Sequence, residues 1–373
     1  MKVLMVVLEV RGSGIFQYTL LLARALSKIV DVSVIVPSEA DVPPITGNLN
    51  ILHIPVGASK KTFILNTLDV SKILGFKKVI MDEKPDVIHF RNPYVIWPVP
   101  ILPLLRRYCG LLCGLPDGYF LPGQMRPDKL IARDMHIRLS HCITVESEYD
   151  KLILKKQGVT KPCFVIPHGV NTLYPFEAMD EGKEEDVVLF FGSIDGEYKG
   201  AKYLLEAAHI LKKTLPNAKI LLAGSGNIQK FQPILKGLTN VDIVNRFIPH
   251  DEVHLFFRRA KVVVCPYIYR VNSGVIPLAL SFGKPLIVTD KLRDMVMNGR
   301  IGLIVPSRDS KALAHAIEKL LTDEELRHRI KNNVELAVKQ RYNWSNISKT
   351  ALEAYEFAAR LARQDSVKLS WVK

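Results

Sequence analysis

The segment 266–289, PYIYRVNSGVIPLALSFGKPLIVT, joins a loop, a helix start, a short apolar helix, a Gly283-Lys284-Pro285 turn and a buried strand. Ser273 is placed to cap the helix, and Gly274, Val275 and Ile276 then carry backbone N–H groups with no partner inside the first turn. Pro277 suits the position, because a first-turn proline gives up an N–H that is unpaired in any case. Such a start attracts phosphate, and Arg270 precedes it closely. The alternative for this segment taken alone is an ordinary strand–loop–helix unit of an α/β domain.

Other loops add to that chemistry. Phe191-Gly192-Ser193-Ile194 leaves a strand without a side chain at its end, and Lys199 in Glu197-Tyr198-Lys199-Gly200 brings an ammonium to the same point. A lysine at a helix start opposes the helix dipole unless an anion is bound there. Leu222-Ala223-Gly224-Ser225-Gly226 ends the next strand with two glycines, which let a flat base or a phosphate approach the backbone. Phe247-Ile248-Pro249 follows a further strand, where a core phenylalanine is the alternative. After the first strand comes Arg11-Gly12-Ser13-Gly14-Ile15-Phe16-Gln17, in which Gln17 stands where the dinucleotide fingerprint has its third glycine. No acidic residue closes the second strand, since Glu39 follows Pro37, so a nicotinamide site fits poorly.

The elements that carry these loops alternate short apolar strands with amphipathic helices. The first half reads as strands at Lys2–Leu8, Asp31–Val36, Asp86–Phe90, Cys142–Val145 and Cys163–Ile166, with helices such as Gly14–Lys28 and Ser147–Gln157 between them. An acidic, non-periodic stretch, Glu177–Asp186, follows Pro167-His168-Gly169-Val170-Asn171. The alternation resumes at Val187–Phe191, with a helix from Lys199, and continues through Lys219–Ala223, Val241–Val244, Lys261–Cys265, Leu286–Thr289 and Leu303–Val305. The expected fold is α/β: two doubly wound, Rossmann-like domains, residues 1–170 and 186–345, facing across a cleft, with a helical tail over 346–373 packed on the body.

Bulk properties narrow the function. The chain has 373 residues, 48% of them hydrophobic, enough for two cores. Its first residues lack a secretory pattern, and the apolar region Tyr94–Leu105 contains prolines and is shorter than the roughly 20 residues a bilayer span needs. Cys109, Cys113, Cys142, Cys163 and Cys265 are scattered; Cys109 and Cys113 would share a helix face, but no second Cys or His pair completes a metal site. Reduced thiols in a cytoplasmic protein, with no bound metal or cofactor, are expected. The formal charge of +14 lies in small clusters such as Lys60-Lys61, Lys77-Lys78, Arg106-Arg107 and Lys155-Lys156. That balance suits nucleic acid, an anionic membrane or phosphorylated ligands, or a merely solvated surface; no nucleic-acid-binding pattern accompanies it.

In order and spacing the chain resembles the retaining GT-B glycosyltransferases of family 4, the glycosyl transferases group 1, as a divergent member. The resemblance runs through Ser13-Gly14, Leu22-Ala23-Arg24-Ala25-Leu26, Pro85-Asp86-Val87-Ile88-His89 and Ile166-Pro167-His168-Gly169-Val170-Asn171. It continues with Phe191-Gly192, Tyr198-Lys199-Gly200, Leu222 to Gly226, Ser273–Leu278, Gly283-Lys284-Pro285 and Gly302-Leu303-Ile304-Val305-Pro306. The resemblance implies a UDP- or GDP-linked sugar held by the second domain, and a sugar or lipid-linked acceptor held by the first. Transfer would proceed with retention and without a metal. The donor would meet Gly14, Gly192, Ser193, Lys199, Gly224, Ser225, Phe247, Ile248, Arg270, Ser273, Gly274, Val275, Ile276 and Leu278, with Lys199, Arg270 and Asp117 as the catalytic set.

The chain departs from the family pattern at four places. Ser193 replaces an arginine, the familiar pair of glutamates falls on Arg270 and Leu278, and a first-domain histidine falls on Pro116 in Leu115-Pro116-Asp117-Gly118. Either Arg270 replaces the charge missing at Ser193 and the site is rewired, or the protein is a non-catalytic relative that binds a nucleotide sugar or partners an active enzyme. A two-domain epimerase shares the architecture, with Asp117, His168, Asp195 and Glu197 as its few acid–base candidates. For the acceptor, Tyr94–Leu105 with Trp97 and Arg106-Arg107 offers an element for docking on an anionic membrane surface at the inner face of the cell, against the alternative of a buried helix.

Overall fold

The computed structural model describes residues 1–8, 14–40, 42, 49–56, 69–120, 126–171 and 185–370, the last five of these by backbone alone. Loop residues Arg11, Gly12 and Ser13, the Lys60-Lys61 pair and most of the Glu177–Asp186 stretch lie outside the described residues. The chain forms two compact units, Met1–Gly169 with Trp344–Lys373, and Val170–Asn343.

In the first unit, strands β1 (Lys2–Val6), β2 (Asp31–Pro37), β3 (Asn50–Ile54), β4 (Val87–Phe90), β5 (Gly110–Leu115), β6 (Cys142–Val145) and β7 (Cys163–Val165) form one sheet in the order β3-β2-β1-β4-β5-β6-β7. Every neighbouring pair is parallel, so each strand needs a crossover, and helices α1 (Gly14–Leu26), α2 (Val70–Glu83), α3 (Leu102–Tyr108), α4 (Pro127–Leu139) and α5 (Glu148–Lys156) supply most of them. The central strands are almost wholly apolar, with Lys2 at the start of β1 and the hydrogen-bonded His89 in β4 as exceptions, because both faces are covered. Two of these strands escape a reading of the sequence. Asn50–Ile54 is a half-exposed edge strand with weak alternation. Gly110–Leu115, framed by glycines, continues the apolar run of α3; Cys113 therefore lies in a central strand and shares no helix face with Cys109.

In the second unit, β8 (Val187–Phe191), β9 (Lys219–Ala223), β10 (Val241–Val244), β11 (Ala260–Cys265), β12 (Leu286–Thr289) and β13 (Gly302–Val305) give the parallel order β10-β9-β8-β11-β12-β13. Helices α6 (Ala201–Thr214), α7 (Gln232–Leu235), α8 (Val253–Arg259), α9 (Val275–Ser281), α10 (Ser310–Thr322) and α11 (Glu324–Gln340) complete it. α6 buries Leu204, Leu205, Ala208 and Leu211 on one face, and α10 is capped by Asp309, whose carboxylate accepts from Lys311 and Ala312 N–H.

The last helix, α12 (Trp344–Ser370), belongs to the first unit and packs on β5 and α1. Ala351, Ala354, Ala358, Ala359 and Ala362 form its buried small-residue face, which lets backbones approach. A methyl on Gly110 would come within 2.7 Å of the Ala358 carbonyl carbon. Tyr355 adds a buried hydrogen bond of 2.9 Å to His89 Nδ1, while His89 Nε2 lies 2.8 Å from Thr144 Oγ1.

The candidate membrane-docking stretch is not available for that task. Val95, Trp97, Ile101, Leu102 and Leu105 are core residues, with Trp97 edge-to-face on Phe76, because this run fills the space beside β4. Arg106 is engaged by the Leu139 and Ser140 carbonyls and by Asp365. Among the described residues no helix is long and apolar enough to cross a membrane.

Replacing Gly110 by alanine forces a methyl into the α12 backbone. We expect destabilisation of about 1–3 kcal/mol from overpacking, seen as a lower urea midpoint with an unchanged slope.

Candidate functional site

In the second unit the strand order reverses at β8, with β9 on one side and β11 on the other. Ligands of open parallel sheets lie outside the carboxyl ends of strands at such a reversal. The loops after β8, β9 and β11 meet there. Gly192 N–H donates to Ala223 O (2.9 Å), Ile194 N–H to Ser225 O (3.0 Å), Gly224 N–H to Val244 O (3.0 Å) and Ile268 N–H to Tyr198 O (2.8 Å). The approach is close enough to exclude side chains: a methyl on Gly224, at φ +145°, would lie 2.0 Å from Gly192 O.

Lys199 ends a 3-10 turn, Glu197–Lys199, and α6 begins two residues later, so the lysine precedes the helix rather than starting it. Its ammonium fills the space that Gly192 leaves, where a methyl would stand 2.6 Å from Nζ. Tyr267 and Tyr198 frame it, with ring centroids 5.7 and 6.0 Å from Nζ. No carboxylate pairs with Lys199 among the described residues, and burial lowers its pKa from the ordinary lysine value, with the nearby Cys265 thiol opposing that shift. A desolvated cation without a counter-ion at a strand-end loop is a receptor for an anion.

The Arg270 loop is built differently. Arg270 is 7% exposed, and its Nη2 donates to Asp294 Oδ2 at 2.7 Å while Nη1 reaches Asn272 Oδ1 at 3.2 Å. Its charge is thus met by a carboxylate of this chain. Ser273 does not cap α9. The residue before the helix is Gly274, in right-handed helical conformation and with no side-chain cap, and the Ser273 hydroxyl turns inward to the Tyr267 hydroxyl at 3.1 Å. The reason is that Tyr267 is buried and its hydroxyl needs a partner. Val275, Ile276 and Leu278 are buried, and Leu278 cannot reproduce the polar contact of a glutamate.

The remaining candidates belong to other loops of the two units. Ser193 is exposed and hydrogen bonds Asp195 (3.1 Å), and Ser225 is exposed beside Gly226, whose N–H donates to Asn245 Oδ1. Phe247 is 65% exposed, against the expectation of a core phenylalanine, while Ile248 is buried. That leaves a free aromatic face after β10. Gly14 opens α1 of the first unit, with no atom of the described residues within 4 Å of where a side chain would begin, and Asp117 follows β5 in that same unit. His168, an acid–base candidate, is half-buried beside Tyr18, and desolvation lowers its pKa to about 4, so it is neutral near pH 7. Among the described residues no three His, Cys, Asp or Glu side chains gather as metal ligands. Tyr267, Cys265 and Asp294 escaped the sequence reading. Nothing in their spacing marks them, since strand order alone brings them to Lys199 and Arg270.

Residues 12–173 match the family model Glycosyltransferase Family 4, and residues 185–323 match the model Glycosyl transferases group 1. An uncharacterised glycosyltransferase of Methanocaldococcus jannaschii is 28% identical over 48% of this chain and 46% of its own. Phosphatidyl-myo-inositol mannosyltransferase of Mycobacterium leprae is 29% identical over 46% of each chain. The matched part spans about half the length of these curated relatives. Among solved structures, sucrose-phosphate synthase from Thermosynechococcus elongatus superposes with a TM-score of 0.75 at 20% identity, covering 95% of this chain and 98% of that one. Anabaena HepE in complex with UDP-glucose gives 0.73 at 16% identity, covering 95% and 99%. These likenesses show the fold, an α/β two-domain GT-B architecture.

Gly192→Ala should displace the Lys199 ammonium and strain the backbone at φ +105°, costing about 1–3 kcal/mol. Gly283→Ala, at φ +62° with open space, should cost about 1–2 kcal/mol through strain alone. Denaturant midpoints of the two variants, and the loss of UDP-induced stabilisation in Gly192→Ala only, check the difference.

Proposed function

The chain belongs to the group 1, family 4 glycosyltransferases, and on that premise we propose that it moves a sugar from a nucleotide-diphosphate sugar to an acceptor, with retention and without a metal. One observation carries the reading: the Lys199 ammonium, at the strand-order reversal of the second unit, lacks an internal counter-ion among the described residues. Breaking the bond between the anomeric carbon and the diphosphate leaves negative charge on the departing group. A preorganised cation in a partly desolvated site stabilises that charge more in the transition state than in the ground state. Gly192 gives the Lys199 ammonium its place, Gly224 lets the β8 and β9 loops close against each other, and the exposed Phe247 face suits the base.

UDP is the nucleotide favoured, because HepE is described with UDP-glucose, and GDP stands beside it on the family resemblance alone. The acceptor side falls to the first unit, with a sugar or a lipid-linked sugar as the class; the Mycobacterium leprae relative is named for an inositol lipid. Retention and metal independence rest on the family resemblance, and Lys199 supplies the positive charge that the leaving group requires. A second reading has one observation in its favour. Because Asp294 already engages Arg270, the site offers less free positive charge than a pair of unpaired cations would, as expected of a relative that binds the donor without transferring it.

Purified protein given a panel of UDP-, GDP- and ADP-sugars should hydrolyse at least one slowly and melt higher with the matching nucleotide. Lys199→Ala should lose about 1.5–3 kcal/mol of transition-state stabilisation, a ten- to roughly hundredfold slower turnover. Because burial lowers the Lys199 pKa, the cation is lost as pH rises sooner than for an ordinary lysine, and turnover should fall on that alkaline limb. Nucleotide-dependent melting without turnover supports the second reading, and silence in both assays across the panel ends both.

A further inference from the structure

Arg91 follows β4 and Glu146 follows β6, while β5 runs between those strands in the sheet. The Arg91 N–H donates to Val6 O at 2.8 Å, which fixes its backbone in the parallel ladder and turns the guanidinium across β5. Gly114 makes the crossing feasible, since a methyl there would lie 2.6 Å from Arg91 Nη1 and 2.8 Å from His89 Nε2. The guanidinium rests 4.3 Å from the Tyr18 ring centroid and donates from Nη2 to Glu146 Oε1 at 3.1 Å. The two side chains are 1% and 7% exposed.

This pair is incompletely satisfied. Arg91 Nε is buried without a partner, and the second Glu146 oxygen accepts no hydrogen bond among the described residues. Burying a guanidinium against a carboxyl contributes little net stability, because desolvating the two groups offsets their attraction. Apolar residues would fill the space at lower cost. The pair lies at the carboxyl ends of strands of the first sheet, where open α/β folds place ligands.

We propose that Glu146 is a hydroxyl-binding residue of the acceptor side, held in place by Arg91 across Gly114, and that its ligand is a neutral polyol or sugar. The assignment rests on the transferase reading above. Burial pushes the Glu146 carboxyl up to about 8, with Arg91 opposing and Asp117 and Asp150 adding to the shift. Near neutral pH the group therefore carries a proton, and a protonated carboxyl both donates and accepts, which matches a hydroxyl. An anionic ligand would meet Asp117 and Asp150, the other acidic groups facing Glu146, while Tyr18 from α1 is held un-ionised by burial.

The test is saturation-transfer NMR on the full chain with methyl α-D-mannopyranoside, methyl α-D-glucopyranoside and myo-inositol, beside the melting shift produced by UDP. Wild-type protein should contact at least one polyol, and the contact should weaken severalfold between pH 7 and 9 as the Glu146 proton is lost. Glu146→Gln keeps a donor and an acceptor, so it should retain the contact and lose the pH dependence; Glu146→Leu should abolish the contact. The UDP shift should be the same in all three, so a failed donor reading shows separately as no UDP shift in the wild type. Equal contact in Glu146→Leu, equal loss in both variants, or no polyol contact in a wild-type protein that responds to UDP overturns the proposal. Should Glu146→Leu fail to fold, the pH profiles of the wild type and Glu146→Gln decide it alone.

Discussion

A lysine ammonium pressed against a glycine, with no carboxylate to neutralise it among the described residues, governs the second unit. Three loops have to converge to hold it. The β8 loop supplies Gly192, whose missing side chain is the space Nζ occupies, and the β9 loop supplies Gly224, whose missing side chain lets the two loops touch. The β11 loop supplies Tyr267, pinned by Ser273 through its hydroxyl and by Thr289 through its carbonyl. Each of these constraints is backbone-to-backbone or buried, so Lys199 is held by packing and not by an ion pair. A cation positioned in that way carries a desolvation cost that pairing with an anion offsets.

The two buried arginines illustrate the contrast. Arg270 meets Asp294 and Asn272, so the loop before α9 is tied to the segment after β12. Arg91 reaches across β5 to Glu146, whose second oxygen accepts no hydrogen bond among the described residues. Both lie at carboxyl ends of parallel strands, where side chains leave the ladder and gain freedom to reach across neighbours.

How far the site was legible in the sequence depended on what each residue's role needs from its neighbours. Gly192, Gly224 and Lys199 carry local signals, since each follows an apolar strand and the glycines sit where a ligand or another loop must approach. Ser273 misled, because a serine before an apolar helix has the composition of a cap while its hydroxyl is claimed by a buried tyrosine on another turn. Around Trp97 the sequence left two readings open, a membrane-docking element and a buried helix, and burial decided between them. An apolar run bounded by arginines has the composition of an interfacial segment, yet α2 and β4 bury it. Composition reports how much apolar surface a segment has; it does not report what covers that surface.

The alternation of strand and helix, read directly from hydrophobic period, determined two parallel α/β units and the strand-end loops where chemistry would lie. Most central strands appear within a residue or two of where periodicity puts them, because a strand buried on both faces must be apolar along its length. Only the tertiary structure decided which cations are paired. Arg270 with Asp294 and Arg91 with Glu146 join residues 24 and 55 positions apart through strand order. Electrostatic pairing depends on distances of a few ångströms that no one-dimensional spacing encodes. The same limit applied to β3 and β5, one a half-exposed edge and the other a glycine-framed run, whose identity as strands is set by the neighbours that hydrogen bond to them.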